Sequence, residues 1–191
     1  MPEALVWIVL IPALDTYDWL YARWQGLEPV GPVLSVDRRT HRGAERRFPD
    51  GTVLRRGDPV GELHLRNRRV LAIHPGARHP VALGLRFRRL LIASLRGLAS
   101  HAATDPRLSD LAVFHARTIL ITGAARIGFV VGDDGNPAPF LRTLFFHLML
   151  CRYHASGLTR MPAAMQAPRD LWLTAAVLRR RYGPAAPVRP G

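Results

Sequence analysis

Phe48-Pro-Asp-Gly-Thr-Val-Leu-Arg-Arg-Gly-Asp-Pro-Val-Gly-Glu-Leu-His-Leu-Arg-Asn67 is the stretch from which the architecture can be read outward. Asp50-Gly51 is a dipeptide that tolerates positive φ, so it favours a tight hairpin turn between two flanking strands. Arg56-Gly57-Asp58-Pro59 supplies a second turn. From Val60 the chain alternates, with Val60, Glu62, His64 and Arg66 on one face and Gly61, Leu63 and Leu65 on the other. That pattern predicts a strand with one face in the core and the other carrying polar groups.

Toward the N-terminus, Val33-Leu34-Ser35-Val36 begins a strand that runs into the basic stretch Arg38–Arg42, and residues 26–32 read as a turn. Asp15 stands at an N-cap position ahead of Tyr17, Leu20, Tyr21 and Trp24, which predicts a short amphipathic helix over about 15–25. Toward the C-terminus, residues 74–83 read as loop. Residues 84–103 read as a long helix, with Leu85, Leu91, Ile92, Leu95 and Leu98 for the core and Arg86, Arg88, Arg89 and Arg96 for solvent. Leu111 to Thr118 alternates as a strand, although a helix is nearly as good a fit. A short helix at 122–126, a strand at 128–131, an apolar helix at 139–155 and a loop over 156–169 follow. Leu171–Leu173 is a last short strand, and Ala175–Tyr182 a terminal helix stopped at Gly183. The expectation is an α+β fold: a small mixed or antiparallel sheet packed with two long helices and a short C-terminal helix. It forms a single domain over 1–183, with a disordered Pro-rich tail over 184–191.

The composition agrees with one folded domain: 191 residues, 48% apolar, 21% charged and a mean hydropathy of +0.02. All 27 basic residues are arginine, and only Asn67 and Asn136 represent asparagine. This looks like codon bias toward GC-rich triplets. The excess charge of +13 still needs a physical account, because exchanging Lys for Arg leaves charge unchanged. Residues 1–30 hold Glu3, Asp15, Asp18 and Glu28 against Arg23, a net of −3 that leaves +16 on the remainder. The functional reading is an anionic partner: nucleic acid, anionic lipid or an acidic polymer. The plainer one is a highly charged domain from a biased genome. Cys151 is the sole cysteine, which excludes an intrachain disulfide and a multi-cysteine zinc module and fits the cytoplasm. The apolar run 4–14 is shorter than the roughly 20 residues of a spanning helix. Glu3 rather than a basic residue precedes it, unlike a signal peptide. It reads as a buried element, or alternatively as a peripheral contact with a membrane surface.

Two constellations can carry chemistry. Glu62 and His64, two apart on one strand face, let a carboxylate orient an imidazole general base, the arrangement of a hydrolase-type enzyme; a structural surface pair would look the same. His147, Cys151 and His154 share one face of the 139–155 helix and form a candidate metal site for zinc or copper, with a partly buried structural cluster as the alternative. No other cofactor is suggested. Asp50 and Asp58 at their turns, with Arg66 and Asn67 at the strand end, are candidate ligand-binding residues, although both aspartates are also suited to capping backbone donors. The lysine-dependent phosphate loop, the G-x-G-x-x-G turn and the G-x-S-x-G elbow are all absent. Basic runs at 38–47, 66–69 and 179–181 suit phosphates or carboxylates, but they lack interleaved aromatics, which ranks nucleic acid below other anionic partners.

The 48–67 stretch, with its Asp-Gly-Thr turn, Gly-Asp turn and Leu63-His64-x-x-Asn67 strand end, resembles the central motif of the YkoP-like domain family. Ala13–Tyr21 is similar to that family's opening helix, and Ser94–Ala99 to its Ser-Leu-Arg-Gly-Leu-Ala segment. Ile121–Phe129 is similar to its Thr-to-Gly-Phe passage, and Leu171–Thr174 with Leu178 and Arg181–Gly183 to its closing strand and helix. The resemblance spans roughly 13–183. It implies an accessory or binding domain near cell-envelope polysaccharide metabolism, since such domains occur joined to polysaccharide deacetylase domains. It carries no catalytic residues across, and Glu62 ahead of Leu63-His64 departs from the family strand. The deacetylase itself is not expected here: Asp133-Asp134 lies in a Gly/Asn/Pro turn with no His-x3-His zinc set. The reading is a non-catalytic domain engaging an anionic glycan or lipid head group through an arginine-rich surface.

Overall fold

A computed structural model of the chain describes residues 16, 20, 23, 26–73, 80–118, 121, 123–132 and 168–184. Among the described residues there are eight strands: β1 (Glu28–Pro29), β2 (Leu34–Thr40), β3 (Arg46–Arg47), β4 (Val53–Leu54), β5 (Pro59–Leu65), β6 (Val113–Thr118), β7 (Val130–Gly132) and β8 (Arg169–Thr174). Three α-helices accompany them: α1 (Asn67–Leu71), α2 (Pro80–Thr104) and α3 (Ala175–Tyr182). A 3-10 turn at Ala125–Ile127 precedes β7. The fold class is α+β. Six strands form one mixed sheet in the order β1-β2-β5-β6-β8-β7, and β3 and β4 make a separate hairpin.

The two turns of the 48–67 stretch form as their residues demand. Gly51 and Gly57 take φ of +84° and +96°, which only glycine adopts without strain. Every neighbouring pair in the sheet is antiparallel except β5 and β6. A parallel pair needs a crossover, and α1 and α2 lie within it.

Register assigns each strand's side chains to one of two faces. Leu34 and Val36 of β2, Leu63 and Leu65 of β5, Phe114 and Ala116 of β6, and Leu171 and Leu173 of β8 share the first face. They pack with Leu95, Leu98, Ala99 and Ala102 of α2 and with Ala175 and Leu178 of α3 into the main core. A Cβ on Gly61 would stand 2.4 Å from the Phe114 ring, so the glycine makes room for a large, completely buried side chain. The segment between β1 and β2 presses equally hard on α2. A Cβ on Gly97 would stand 1.9 Å from the Val30 carbonyl oxygen, and Ser94 Oγ accepts the Val33 N–H at 3.0 Å.

The second face is divided. At one end Phe48 and Leu54 of the hairpin cover Val60, Val113 and Trp172 in a small apolar cluster. The rest of that face is polar.

Several expectations need correction. α2 begins at Pro80 rather than at 84; proline suits a first helical turn, where its missing N–H is not needed. Leu85, expected in the core, is 53% exposed, because Leu83, Phe87, Leu90 and Leu91 form the packing stripe of that half of the helix against Val33, Val70 and Ile73. α1 arises where no helix was expected. β8 begins at Arg169, earlier than the expected strand, because it is held between β6 and β7. Thr16, Leu20 and Arg23 are helical, consistent with the expected helix there. The expected 139–155 helix, the apolar run 4–14 and most of the 184–191 tail lie outside the described residues.

Candidate functional site

The polar part of the second face is built by register alone. Asp37 of β2 stands opposite Glu62 of β5, Glu62 opposite His115 of β6, and His115 opposite Trp172 of β8. Ser35 faces His64, and Arg117 faces Asp170. Glu62 and His64 therefore share a face, as their spacing implied, but they stand within a wider constellation.

On the β2–β5 side Arg39 serves two carboxylates: its Nε lies 2.5 Å from Asp37 Oδ2 and 3.7 Å from Glu62 Oε2. His64 is half-buried beside them. Burial pushes its imidazole below the ordinary histidine value; the charges of Glu62 and Asp37 oppose that, and those of Arg39 and His115 add to it. On the β6–β8 side His115 Nε2 lies 2.8 Å from Asp170 Oδ1. Asp170 is almost fully buried, and burial alone would raise its carboxyl. The His115 hydrogen bond and the charges of His115, Arg117 and Arg46 outweigh this and hold it below the ordinary carboxylate value. An ionised carboxylate only accepts, so Nε2–H is the donor.

Trp172 anchors this side. The His115 ring lies 4.2 Å from it at 32°, the His41 ring meets it edge-on at 5.8 Å, and the Arg46 guanidinium sits 4.9 Å over it. Its buried Nε1–H finds no acceptor among the described residues. Gly132 keeps the indole clear, since a Cβ there would stand 2.8 Å from Nε1.

The candidate ligand-binding residues stand elsewhere. Asp50 Oδ1 accepts the Thr52 N–H at 3.0 Å and its Oδ2 accepts the Thr174 hydroxyl, tying the hairpin to the start of α3. With Phe48, Pro49, Gly128, Val130, Thr174, Val177 and Arg180 it lines a cleft of about 210 Å³. Asp58 Oδ2 accepts the Arg55 N–H at 2.7 Å, and Arg66 Nη1 donates to the Gly31 carbonyl at 3.2 Å. Asn67 opens α1. His147, Cys151 and His154 lie outside the described residues, and among those described no group of three metal-ligating side chains converges.

A second feature lies on the helical layer. α2 carries Arg86, Arg88, Arg89 and Arg96, α3 carries Arg179, Arg180 and Arg181, and neither helix contains an acidic residue. Burial raises the Tyr182 phenol above its ordinary value, while the charges of Arg181, Arg88 and Arg96 all pull it down, so arginines of both helices lie within electrostatic reach of this ring. Among the described residues Arg88, Arg89, Arg96, Arg179, Arg180 and Arg181 form no ion pair.

His115, Asp170 and Trp172 went unread in the sequence. The alternation Asp170-x-Trp172-x-Thr174 marks one strand face, but nothing local joins it to His115 fifty-five positions away.

A six-stranded mixed sheet, covered on one face by α2 and α3 and on the other partly by a hairpin, defines an α+β domain with a polar sheet face and an arginine-bearing helical layer. The chain belongs to the YkoP domain family, whose domain it matches over residues 8–182. Neither the curated proteins nor the solved structures provide a match. No described helix is long and apolar enough to cross a membrane.

Proposed function

We propose that this YkoP domain is a non-catalytic accessory or binding domain that engages an anionic envelope component, a glycan or lipid head group, through its arginine-rich helical layer. The exposure of Arg88, Arg89, Arg96, Arg179, Arg180 and Arg181 on two packed helices, with no carboxylate in either, carries the reading. Like charges brought together without counter-charge repel one another, and an anion in contact with them relieves that repulsion. The link to envelope polysaccharide metabolism comes from the domain's resemblance, action in the cytoplasm from the single cysteine, and contact with the membrane periphery from the apolar run 4–14. Polygalacturonate and anionic vesicles offered at low ionic strength test it. Both bind the wild-type chain, added salt weakens both, and R88Q/R96Q/R181Q lowers affinity by about a hundredfold, taking roughly 1 kcal/mol per arginine. Binding to neither probe at low salt overturns it.

A second reading is favoured by the His115–Asp170 pair beside Glu62 and His64: an acid–base enzyme of hydrolase type. His115, oriented by Asp170, or His64, beside Glu62, takes a proton from an attacking water. A panel of p-nitrophenyl esters and glycosides tests it. Turnover abolished in both H115A and H64A supports it, and no turnover by the wild-type chain removes it.

A further inference from the structure

We infer that the first half of α2 is a membrane-surface contact, and that the anionic partner of the arginine layer is a lipid surface. This rests on the anion-binding reading and narrows it. At about 100° per residue, Val81, Leu85, Arg88, Arg89, Ile92 and Arg96 fall within an arc of about 100°. Over residues 81–92 that arc lies opposite the packing stripe of Leu83, Phe87 and Leu90, so there it faces away from the packed side; farther along, Leu95 and Ala99 turn the helix into the main core. Val81 and Leu85 are 74% and 53% exposed, two of the few large apolar side chains in solvent among the described residues, and Arg88, Arg89 and Arg96 are exposed on the same helix.

A free polyanion in water would use the arginines but has no use for the apolar pair. A lipid surface uses both. Val81 and Leu85 enter the boundary between head groups and acyl chains, while the arginines remain at the level of the phosphates, with stems long enough to follow. Arg181 of α3 is exposed and acts on the same Tyr182 as Arg88 and Arg96, so it extends the basic zone sideways and four arginines accompany the apolar pair. Clusters of this size next to an apolar anchor bind anionic leaflets with additive contributions from each charge. The helix lies along the surface; at 25 residues it also runs on into the core, where Leu95 and Leu98 are completely buried, so its first half docks and the exposed Arg96 marks the inner limit of the contact.

The full chain is mixed with vesicles of phosphatidylcholine, with vesicles of phosphatidylcholine plus phosphatidylglycerol, and with polygalacturonate, and bound protein is measured by sedimentation. The expected result is binding to the mixed vesicles and little to phosphatidylcholine alone. V81S/L85S lowers vesicle affinity at least tenfold and leaves polygalacturonate binding unchanged, while V81W raises vesicle affinity and shifts the new indole fluorescence to the blue. Both positions are exposed, so the variants keep the wild-type circular dichroism spectrum. Equal vesicle binding by V81S/L85S and the wild-type chain overturns the lipid contact. Binding to polygalacturonate with none to vesicles overturns it too, and leaves the broader anion-binding proposal standing. Binding to neither probe removes both.

Discussion

The polar sheet face and the helical layer both display arginine, but they handle its charge in opposite ways. On the sheet Arg39 meets Asp37 and Glu62, and Arg117 Nε lies 3.8 Å from Asp170 Oδ1, so each guanidinium has a carboxylate at hand. On the helices Arg88, Arg89 and Arg96 have no such neighbour among the described residues. Half-buried charges must be compensated within the fold, because burial penalises an unpaired ion severely. Charges in water face no such requirement and remain available to something outside the molecule. The same residue type thus holds the structure together on one side and presents a field on the other.

That contrast breaks most heavily where backbone packing is involved. Gly97→Ala forces a methyl group into the Val30 carbonyl and separates α2 from the β1–β2 segment; a loss of about 3 kcal/mol is expected from the urea midpoint. Asp170→Asn comes next, at about 2 kcal/mol, since it weakens a buried charge-assisted hydrogen bond. It also changes the acid limb. Because the folded carboxyl titrates below its ordinary value, its stabilisation is complete above about pH 3.9 and is lost as pH falls through the folded value; D170N flattens that part of the profile. Thr174→Val removes the hydroxyl that caps α3 through the Val177 N–H and binds Asp50, and costs about 1–2 kcal/mol by the same measurement.

His64 produces a smaller and differently placed effect. Its folded value is depressed, so the unfolded chain binds the proton more readily. Stability is complete above about pH 6.5 and declines as pH falls from there toward the folded value. H64Q removes this slope in denaturation curves taken across that range and leaves the lower, carboxylate limb in place. Smallest of all is R88Q/R96Q, which leaves the urea midpoint unchanged or slightly raised, because these arginines contribute repulsion rather than pairing. A clear loss of stability in R88Q/R96Q would erase the contrast between the two regions.

Local chemistry explains what could be read in advance. Asp50-Gly51 and Gly57-Asp58 carry their turns in their own φ preferences, and the alternation from Val60 to Arg66 placed Glu62 and His64 on one polar face before any partner strand was known. The same logic recovered β2, β6, the body of α2 and α3. It failed at Leu85, where the helical period was right but the choice of face depends on what packs against it, and at Pro80, where a residue suited to a first turn resembled a loop.

Periodicity thus assigned the α+β class, the hairpin, the strand faces and the excess of positive charge, because these follow from backbone preference and residue spacing within a few positions. The parallel pairing of β5 with β6 and the insertion of β8 between β6 and β7 depend on contacts between residues far apart in the chain. Those pairings bring His115 to Asp170 and Trp172, and they set Glu62 beside both Asp37 and His115. The electrostatic reach of Arg88, Arg96 and Arg181 to one tyrosine is likewise a product of α2 packing on α3. Charge was visible in the sequence; which charges are neutralised inside the fold and which face outward was settled by tertiary packing, since burial and pairing are properties of neighbours rather than of position along the chain.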